Sequence, residues 1–426
     1  MKLSVQPAKL SGIVDAPGSK SHTIRALAIA TMASGASIIK APLISSDTLS
    51  CLTAASALGA WVKRGDDSIW KISGTGGNLL QPAKTLDMGN SGTGTRLFTA
   101  LASLARHLIS FDGDESLRSR PMSPLLDSLQ QLGVSTAATV GKCPVAVQGP
   151  LQGGQALVDG KSSQYLSALL LAAPLAPKDT LLLVHDLNEV PYVDITLDWL
   201  KREDISIKHD DQYMRFEIKG GQHYKPFTAM IPGDFSTACF PLVAAAVTGG
   251  KIKIRNLDFN DPQGDKKIFD YMKKMGASID IDENIVSVRG GRLKAVELDL
   301  NATPDALPIL AVAAAYAKGR SVFKNVAQAR IKETDRIAVM AQELRKMNVM
   351  VEEFEDGLAV TGGNIKPCQE LDSHQDHRIA MALAIAAMAM PGDSEPCAID
   401  GAECIGVTYP GFIQDFTELG AHFYQM

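Results

Sequence analysis

The sequence has no excess of positive charge: 42 Lys and Arg stand against 47 Asp and Glu, for a formal net charge of −5. That balance argues against nucleic acid or an acidic membrane as the main partner, since both are bound through a basic surface. Clustered cysteine is missing too. The six cysteines (Cys51, Cys143, Cys239, Cys368, Cys397 and Cys404) lie far apart, with no C-x-x-C pair and no histidine pairing at zinc spacing. Neither a disulfide framework nor a structural metal is expected, and reduced thiols in a cytoplasmic enzyme are. The longest apolar run, Ile379 to Met390, falls well short of the ~18 residues that suggest a membrane span. Met1 to Pro7 has neither the apolar stretch nor the small-residue cleavage site of a signal peptide, so a soluble, cytoplasmic protein is expected. A Walker A loop is also absent, because Gly18-Ser19-Lys20-Ser21 has no glycine at the required spacing before it. Gly74-Thr75-Gly76-Gly77-Asn78 reads as a hairpin turn rather than a phosphate cradle.

What is present is a chain of 426 residues, 46% hydrophobic. It is long enough for two domains, since single cores stop growing near ~250 to 300 residues. Six times, at a step of about 72 residues, a polar turn precedes an alanine-rich apolar run. The turns are Pro17 to Ser21, Asn90 to Thr93, Lys161 to Gln164, Gly233 to Thr237, Pro304 to Leu307 and Asp376 to Arg378. The runs are apolar on nearly every face and therefore read as buried helices. Six buried helix N-termini, with unpaired N–H groups and partial positive charge, form a device for holding anions.

Each run is followed by strand, helix and strand. Examples are Ala36 to Ile39, Asp47 to Leu58 and Gly59 to Val62 in the first repeat, and Ser321 to Phe323, Lys332 to Met347 and Val349 to Val351 in the fifth. With a leading strand such as Ile13 to Ala16, the unit is βαβαββ-like, and Gly59, Gly133 and Gly276 mark helix ends. Crossings in Ser11 to Lys20 and Lys225 to Asp234 divide the chain into residues 1–18 plus 232–426 and residues 19–231. A repeat scaffold without activity would show interchangeable caps at all six turns. Instead, several carry a distinct charged or amide side chain.

Lys20 and Arg25 lie in the first turns of a helix, the unfavourable end of the dipole for cations unless an anion is bound there. In Arg118-Ser119-Arg120-Pro121, the proline is expected to start a helix with Arg120 just before it. Guanidinium groups grip carboxylate or phosphate bidentately, although an ordinary surface salt bridge would use the same residues. In Arg330 to Arg336 the spacing of Lys332 and Arg336 predicts a shared helical face, and a solvated charged face is the bland alternative.

These residues together resemble the 5-enolpyruvylshikimate-3-phosphate synthase family of enolpyruvyl transferases. The carriers are P-G-S-K-S-x-x-x-R-A-L (Pro17 to Leu27), G-N-S-G-T-x-x-R (Gly89 to Arg96), R-x-R-P (Arg118 to Pro121), S-S-Q-Y (Ser162 to Tyr165), P-Y-x-D-I-T (Pro191 to Thr196), P-D-A (Pro304 to Ala306), R-x-K-E-T-D-R (Arg330 to Arg336) and D-H-R (Asp376 to Arg378). The resemblance implies an α/β (α+β) fold of two similar lobes, each of three βαβαββ units in an inside-out, barrel-like arrangement, with the active site in the cleft between them. It implies transfer of the enolpyruvyl group of phosphoenolpyruvate to the 5-hydroxyl of shikimate 3-phosphate, on the shikimate pathway to aromatic amino acids. Further implications are a cytoplasmic monomer, no metal or organic cofactor, and the two small-molecule substrates as its partners.

Residue roles are implied in the same way. Lys20, Ser21, Arg25, Ser162, Ser163, Gln164, Tyr192, Asp305, Gln328 and Lys332 would bind shikimate 3-phosphate. Lys20, Asn90, Gly92, Arg120, Gln164, Arg336 and Arg378 would bind phosphoenolpyruvate, with Gly92 leaving room for close approach of the ligand. Asp305, Glu333 and Lys20 would move protons. Three positions depart from the family pattern. Glu189 stands where a phosphate-binding serine is common and would repel the phosphate unless turned away or paired. Gln328 stands in place of an asparagine. Val407 stands where many members place a lysine, removing a cation near phosphoenolpyruvate and its mimic glyphosate. An enolpyruvyl transferase acting on UDP-N-acetylglucosamine is the alternative, but it usually carries a loop cysteine, and none lies between Cys51 and Cys143.

Overall fold

The computed structural model describes residues 1–65 and 68–425. Asp66, Asp67 and Met426, the last residue of the 232–426 segment, lie outside the described residues. Each polar turn leads into a helix: Lys20–Met32, Gly92–Ala102, Ser163–Ala172, Phe235–Val247, Leu307–Ala315 and His377–Met388. A single 3-10 turn, Pro304–Ala306, precedes the fifth. Every residue of Leu307–Ala315 and of His377–Met388 is buried, as the lack of a polar stripe in their sequences requires. Phe235–Val247, Leu307–Ala315 and His377–Met388 pack on one another, and Gly92–Ala102 packs against both Lys20–Met32 and Ser163–Ala172. Alanine on these faces lets the helices approach closely.

Four-stranded sheets of one pattern cover the helices. Lys251–Arg255 pairs in parallel with Ser11–Asp15 on one side and antiparallel with Ile285–Arg289 on the other, and Ser278–Asp282 completes the ladder. Burial alternates along Lys251–Arg255, so one face of the strand meets the core and the other meets solvent. Six such sheets are present and none closes into a barrel among the described residues. Some strands come from far along the chain. Thr228–Met230 runs parallel to Ala36–Lys40, and Leu3–Gln6 is sandwiched antiparallel between Cys397–Asp400 and His422–Gln425. The chain falls into two compact units, Met1–Pro17 with Pro232–Met426, and Gly18–Ile231.

Gly59, Gly133 and Gly276 follow helices with φ of 106°, 90° and 100°, a region that disfavours any Cβ. Three sequence expectations need correction. The helix expected over Lys332 to Met347 spans only Arg336–Lys346, capped by the Asp335 side chain. Lys332 has φ −82° and ψ −145°, so Lys332 and Arg336 do not share a helical face. Pro121 does not start a helix either: Arg120 closes the short helix Glu115–Ser119, and the next helix, Ser123–Gln131, has Pro124 in its first turn. Gly74 to Asn78 is no hairpin, because Gly74 and Thr75 donate to Gly35 and Thr31 at the end of the first buried helix. The chain then continues to Leu86–Asp87, a strand of a different sheet.

Candidate active site

In the Gly18–Ile231 unit, Lys20 opens the first buried helix with Nζ 3.2 Å from Asp47 Oδ2. Asp47 is itself buried in the first turn of Ser46–Ala57. One and a half turns past Lys20, Arg25 donates to Thr196 Oγ1 at 2.8 Å, to the carbonyls of Tyr192 and Ser21 at 2.9 and 3.0 Å, and to Ser167 Oγ at 3.3 Å. Every one of these acceptors is neutral, and Arg25 is only 1% exposed. Burial pulls its pKa down to about 10, so it stays charged at neutral pH. An isolated buried ion is unfavourable by several kcal/mol, which makes this position one that an anion would stabilise.

Arg96 is a second case. Its Nη1 donates to Gln164 Oε1 at 2.7 Å and its Nη2 to the Pro121 carbonyl at 3.0 Å, with the Tyr165 ring 5.4 Å from the guanidinium carbon. Its buried Nε has no hydrogen-bond partner among the described residues. Arg120 donates to Asn90 Oδ1 at 2.5 Å, to the Asn90 carbonyl at 3.2 Å and to Ser116 Oγ at 2.9 Å. A Cβ on Gly92 would stand 2.8 Å from Arg96 Nη1 and 2.9 Å from Arg120 Nη1. The missing side chain therefore makes room for two guanidinium groups at a helix N-terminus. By contrast, Arg118 pairs with Asp112 at 2.5 Å and is half exposed, an ordinary surface ion pair of small value.

The third helix head carries the phosphate-binding candidates. Ser162 caps it, accepting from Gln164 N at 3.4 Å, while Ser163 Oγ donates to Glu189 Oε2 at 2.7 Å. Glu189 is 1% exposed and takes φ +59° at the head of Val190–Arg202. The carboxylate that departs from the family pattern is thus paired with one of the serines expected to hold phosphate. Tyr192, in the first turn of the same helix, is half-buried and lends its carbonyl to Arg25.

The other unit gathers charges of both signs. Asp305 Oδ1 lies 2.8 Å from Arg336 Nη1 and 3.9 Å from Lys332 Nζ, and Asp305 Oδ2 lies 3.0 Å from Arg378 Nη2. Arg336 also binds Glu333 Oε2 at 2.7 Å and both oxygens of Asp376, at 2.7 and 3.2 Å. Burial alone would raise the Asp305 pKa. The charges of Arg378, Lys332 and Arg336 outweigh it and hold the carboxyl well below the usual range. For Arg336, burial works against the charge, and Asp376, Glu333 and Asp305 overcome it to raise the pKa. Gln328 is buried and donates to the Asn301 carbonyl at 3.1 Å. Val407 ends the 3-10 segment Ala402–Val407 and is half-buried.

Sequence reasoning assigned no role to Arg96, Asp47, Ser236 or Asp376. Ser236 Oγ accepts from Arg378 Nη2 at 2.8 Å and aims that guanidinium. Asp376 caps its own helix through Arg378 N while holding Arg336. With Asp234, which accepts from Ser236 N and Thr237 N, it fills one of two helix heads with the protein's own carboxylate. These two heads are therefore capped by the protein's own carboxylates. Arg96 and Asp376 stand inside family motifs, Ser236 lies in the polar turn before the fourth buried helix, and Asp47 opens the second helix of the first repeat, but nothing local names the cation each one meets.

The family profile described as EPSP synthase (3-phosphoshikimate 1-carboxyvinyltransferase) matches residues 5–416. The chain belongs to the EPSP synthase family. It is similar to the 3-phosphoshikimate 1-carboxyvinyltransferase of Acetivibrio thermocellus, 45% identical over 423 residues and 99% of each chain. A similar relation holds with that of Methanosarcina acetivorans, 42% identical over 435 residues, covering 100% of this chain and 99% of the other. Among solved structures, EPSP synthase from Acinetobacter baumannii superposes with a TM-score of 0.82 at 28% identity, covering 100% of both chains. The enolpyruvyl transferase NikO of Streptomyces tendae shares the fold, with a TM-score of 0.80 at 20% identity over 100% of this chain and 98% of that one. Membership of the EPSP synthase family accords with the motifs at five of the six helix heads, all but that of Phe235–Val247. No helix of the described residues is long and apolar enough to cross a membrane.

Proposed function

We propose that the two clusters divide the work of one reaction, with the observation that carries the reading being Arg25: a buried, charged guanidinium whose hydrogen bonds all go to neutral oxygens. As a member of the EPSP synthase family, the chain transfers the enolpyruvyl group of phosphoenolpyruvate to shikimate 3-phosphate and releases phosphate. Both substrates are polyanions. Arg25, Ser162, Ser163, Ser21 and Lys332 take the 3-phosphate, with Tyr192 and Gln328 toward the ring and its hydroxyls. Arg120 with Asn90, Gly92, Arg336 and Arg378 take phosphoenolpyruvate, and Lys20 and Gln164 serve both. Arg96 acts through Gln164 as a positioning residue.

The chemistry needs one group to remove a proton and another to supply one. The 5-hydroxyl oxygen attacks C2 of phosphoenolpyruvate as its proton leaves for Asp305. Meanwhile the C3 methylene gains a proton from Glu333 or Lys20, giving a tetrahedral intermediate. Loss of a C3 proton and of phosphate then restores the enol. Steps of this kind contribute ~10²- to 10⁴-fold each. Held by three cations, Asp305 is too weak a base to serve as it stands. Once the anionic groups of phosphoenolpyruvate draw Arg336 and Arg378 toward themselves, burial is less opposed and the proton affinity of Asp305 rises.

Phosphate release from phosphoenolpyruvate, measured with shikimate 3-phosphate and separately with UDP-N-acetylglucosamine, tests the acceptor. Turnover with the sugar nucleotide alone would overturn the reading. A sharper test concerns Glu189. Exchanging it for glutamine keeps an acceptor for Ser163 and removes a negative charge beside the proposed phosphate site. The KM for shikimate 3-phosphate is expected to fall by about tenfold, equivalent to ~1.4 kcal/mol, with kcat little changed. A rise in KM would mean that the Glu189 charge assists binding and that Ser163 does not face the phosphate.

A further inference from the structure

Two thiols stand together outside both clusters. Cys368 and Cys397 have their Sγ atoms 3.6 Å apart. Cys397 opens the strand Cys397–Asp400 and Cys368 lies two residues before Glu370–Asp372; the two strands run in parallel register, and Ala398 N donates to the Gln369 carbonyl at 2.8 Å. Backbone pairing therefore holds the sulfurs side by side. The pair is also asymmetric. Cys368 is partly exposed and Cys397 is buried, as are Cys51, Cys143, Cys239 and Cys404. Cys368 is thus the most accessible thiol in the chain, with a second thiol directly behind it.

We propose that Cys368 and Cys397 form an oxidisable dithiol, a modification site at which a hydroperoxide is reduced and a reversible disulfide is made. In the first step the Cys368 thiolate attacks the nearer peroxide oxygen and the O–O bond breaks. Cys368 becomes a sulfenic acid, and the other oxygen leaves as water or an alcohol after taking a proton. In the second, Cys397 sulfur attacks Cys368 sulfur, the S–O bond breaks and water leaves with the Cys397 proton. Two thiols have lost two electrons and the peroxide has gained them. A bonded pair of sulfurs lies about 2.0 Å apart, so the closing movement is small enough for side-chain rotation between paired strands. The chemistry is helped by a hydrogen bond from Cys397 and by the Lys346 charge, which hold the Cys368 thiol below its ordinary pKa against its burial and the Glu343 charge. A lower pKa increases the thiolate fraction that reacts. A small thiol reverses the change by exchange.

The test exposes the folded, fully reduced chain to hydrogen peroxide, then denatures it and counts its thiols. The chain is expected to lose two of its six thiols, to lose the mass of two hydrogen atoms, and to yield one cross-linked peptide joining Cys368 to Cys397. Dithiothreitol should restore both thiols. Cys368→Ser should form no internal disulfide under the same exposure. Should that variant fail to fold, Cys397→Ser is read instead, and its Cys368 should stop at a sulfenic acid that dimedone traps. Oxygen added to Cys368 of the unaltered chain without a cross-link would overturn the proposal. So would a disulfide that uses another cysteine or joins two chains, or a Cys397→Ser chain that dimedone does not label.

Discussion

Replacing Asp305 with alanine is expected to lower kcat by about 10²- to 10⁴-fold while changing the affinity for the phosphate part of shikimate 3-phosphate far less. The reason is that its carboxylate matters most while the hydroxyl proton is moving. The surrounding charges add a second, more specific expectation. In the protein by itself, Arg378, Lys332 and Arg336 keep Asp305 ionised to very acid pH. On the proposed assignment phosphoenolpyruvate gives two of those cations a competing anion, and the pKa is expected to move up. The acidic limb of kcat, which reports the substrate complex, should therefore lie at higher pH than the acidic limb of kcat/KM, which reports the free enzyme. Coincident limbs would show that Asp305 keeps its cations throughout. Near-normal turnover of Asp305→Ala would move the base to another residue.

Removing Arg336 should have the largest effect on the protein itself. Its guanidinium is 1% exposed and bonds to Asp305, Glu333 and Asp376. Arg336→Ala would leave these carboxylates close together without their shared cation. Breaking a buried ion pair in this way costs about 3–5 kcal/mol, a large part of the stability of an ordinary domain. Denaturant melts should show the deficit at neutral pH. It should narrow as pH falls below ~4. The sign follows from Asp305, whose folded-state pKa lies below its unfolded value: it stabilises above that unfolded value and ceases to as acid protonates it. An Arg336→Ala chain as stable as the parent at neutral pH would contradict the ion cluster. Arg378, which pairs with Asp305 and is aimed by Ser236, is a second probe of phosphoenolpyruvate. Charged hydrogen bonds contribute ~1.5 to 3 kcal/mol, so Arg378→Ala should weaken phosphoenolpyruvate binding by about one to two orders of magnitude. Lysine should rescue it only in part, because it keeps the charge but loses the planar fork. An Arg378→Ala chain that lost mainly shikimate 3-phosphate binding would reverse the assignment of substrates at this helix head.

How far the site could be read beforehand differs between residues for physical reasons. Lys20 and Arg25 could be placed beforehand at the head of an apolar helix, where two cations conflict with its dipole, but that Asp47 answers Lys20 could not. Glu189 was legible as an oddity, yet whether it repels phosphate depends on Ser163, 26 residues earlier. The helix expected from Lys332 onward failed because Asp335 caps the helix at its N-terminus. Lys332 instead turns toward Asp305. Local spacing cannot weigh a tertiary ion cluster against one more turn of helix. Gly92 looked like room for a ligand, and only the folded chain shows two arginines using that room.

Six apolar helices, the polar heads before them, the strand–helix–strand units that follow and the kinds of chemical group available can be read from the residues alone. Each of these follows from residues within a few positions of one another, where backbone preference and hydrophobic period act directly. Tertiary structure alone decided which charge meets which. Ser236 aims Arg378 from 142 residues away, Asp376 holds Arg336 across 40, and Leu3–Gln6 is taken into the same sheet as His422–Gln425. Coulomb and hydrogen-bond energies depend on distance in space and on burial, not on separation along the chain, so these partners exist only once the cores have closed around them.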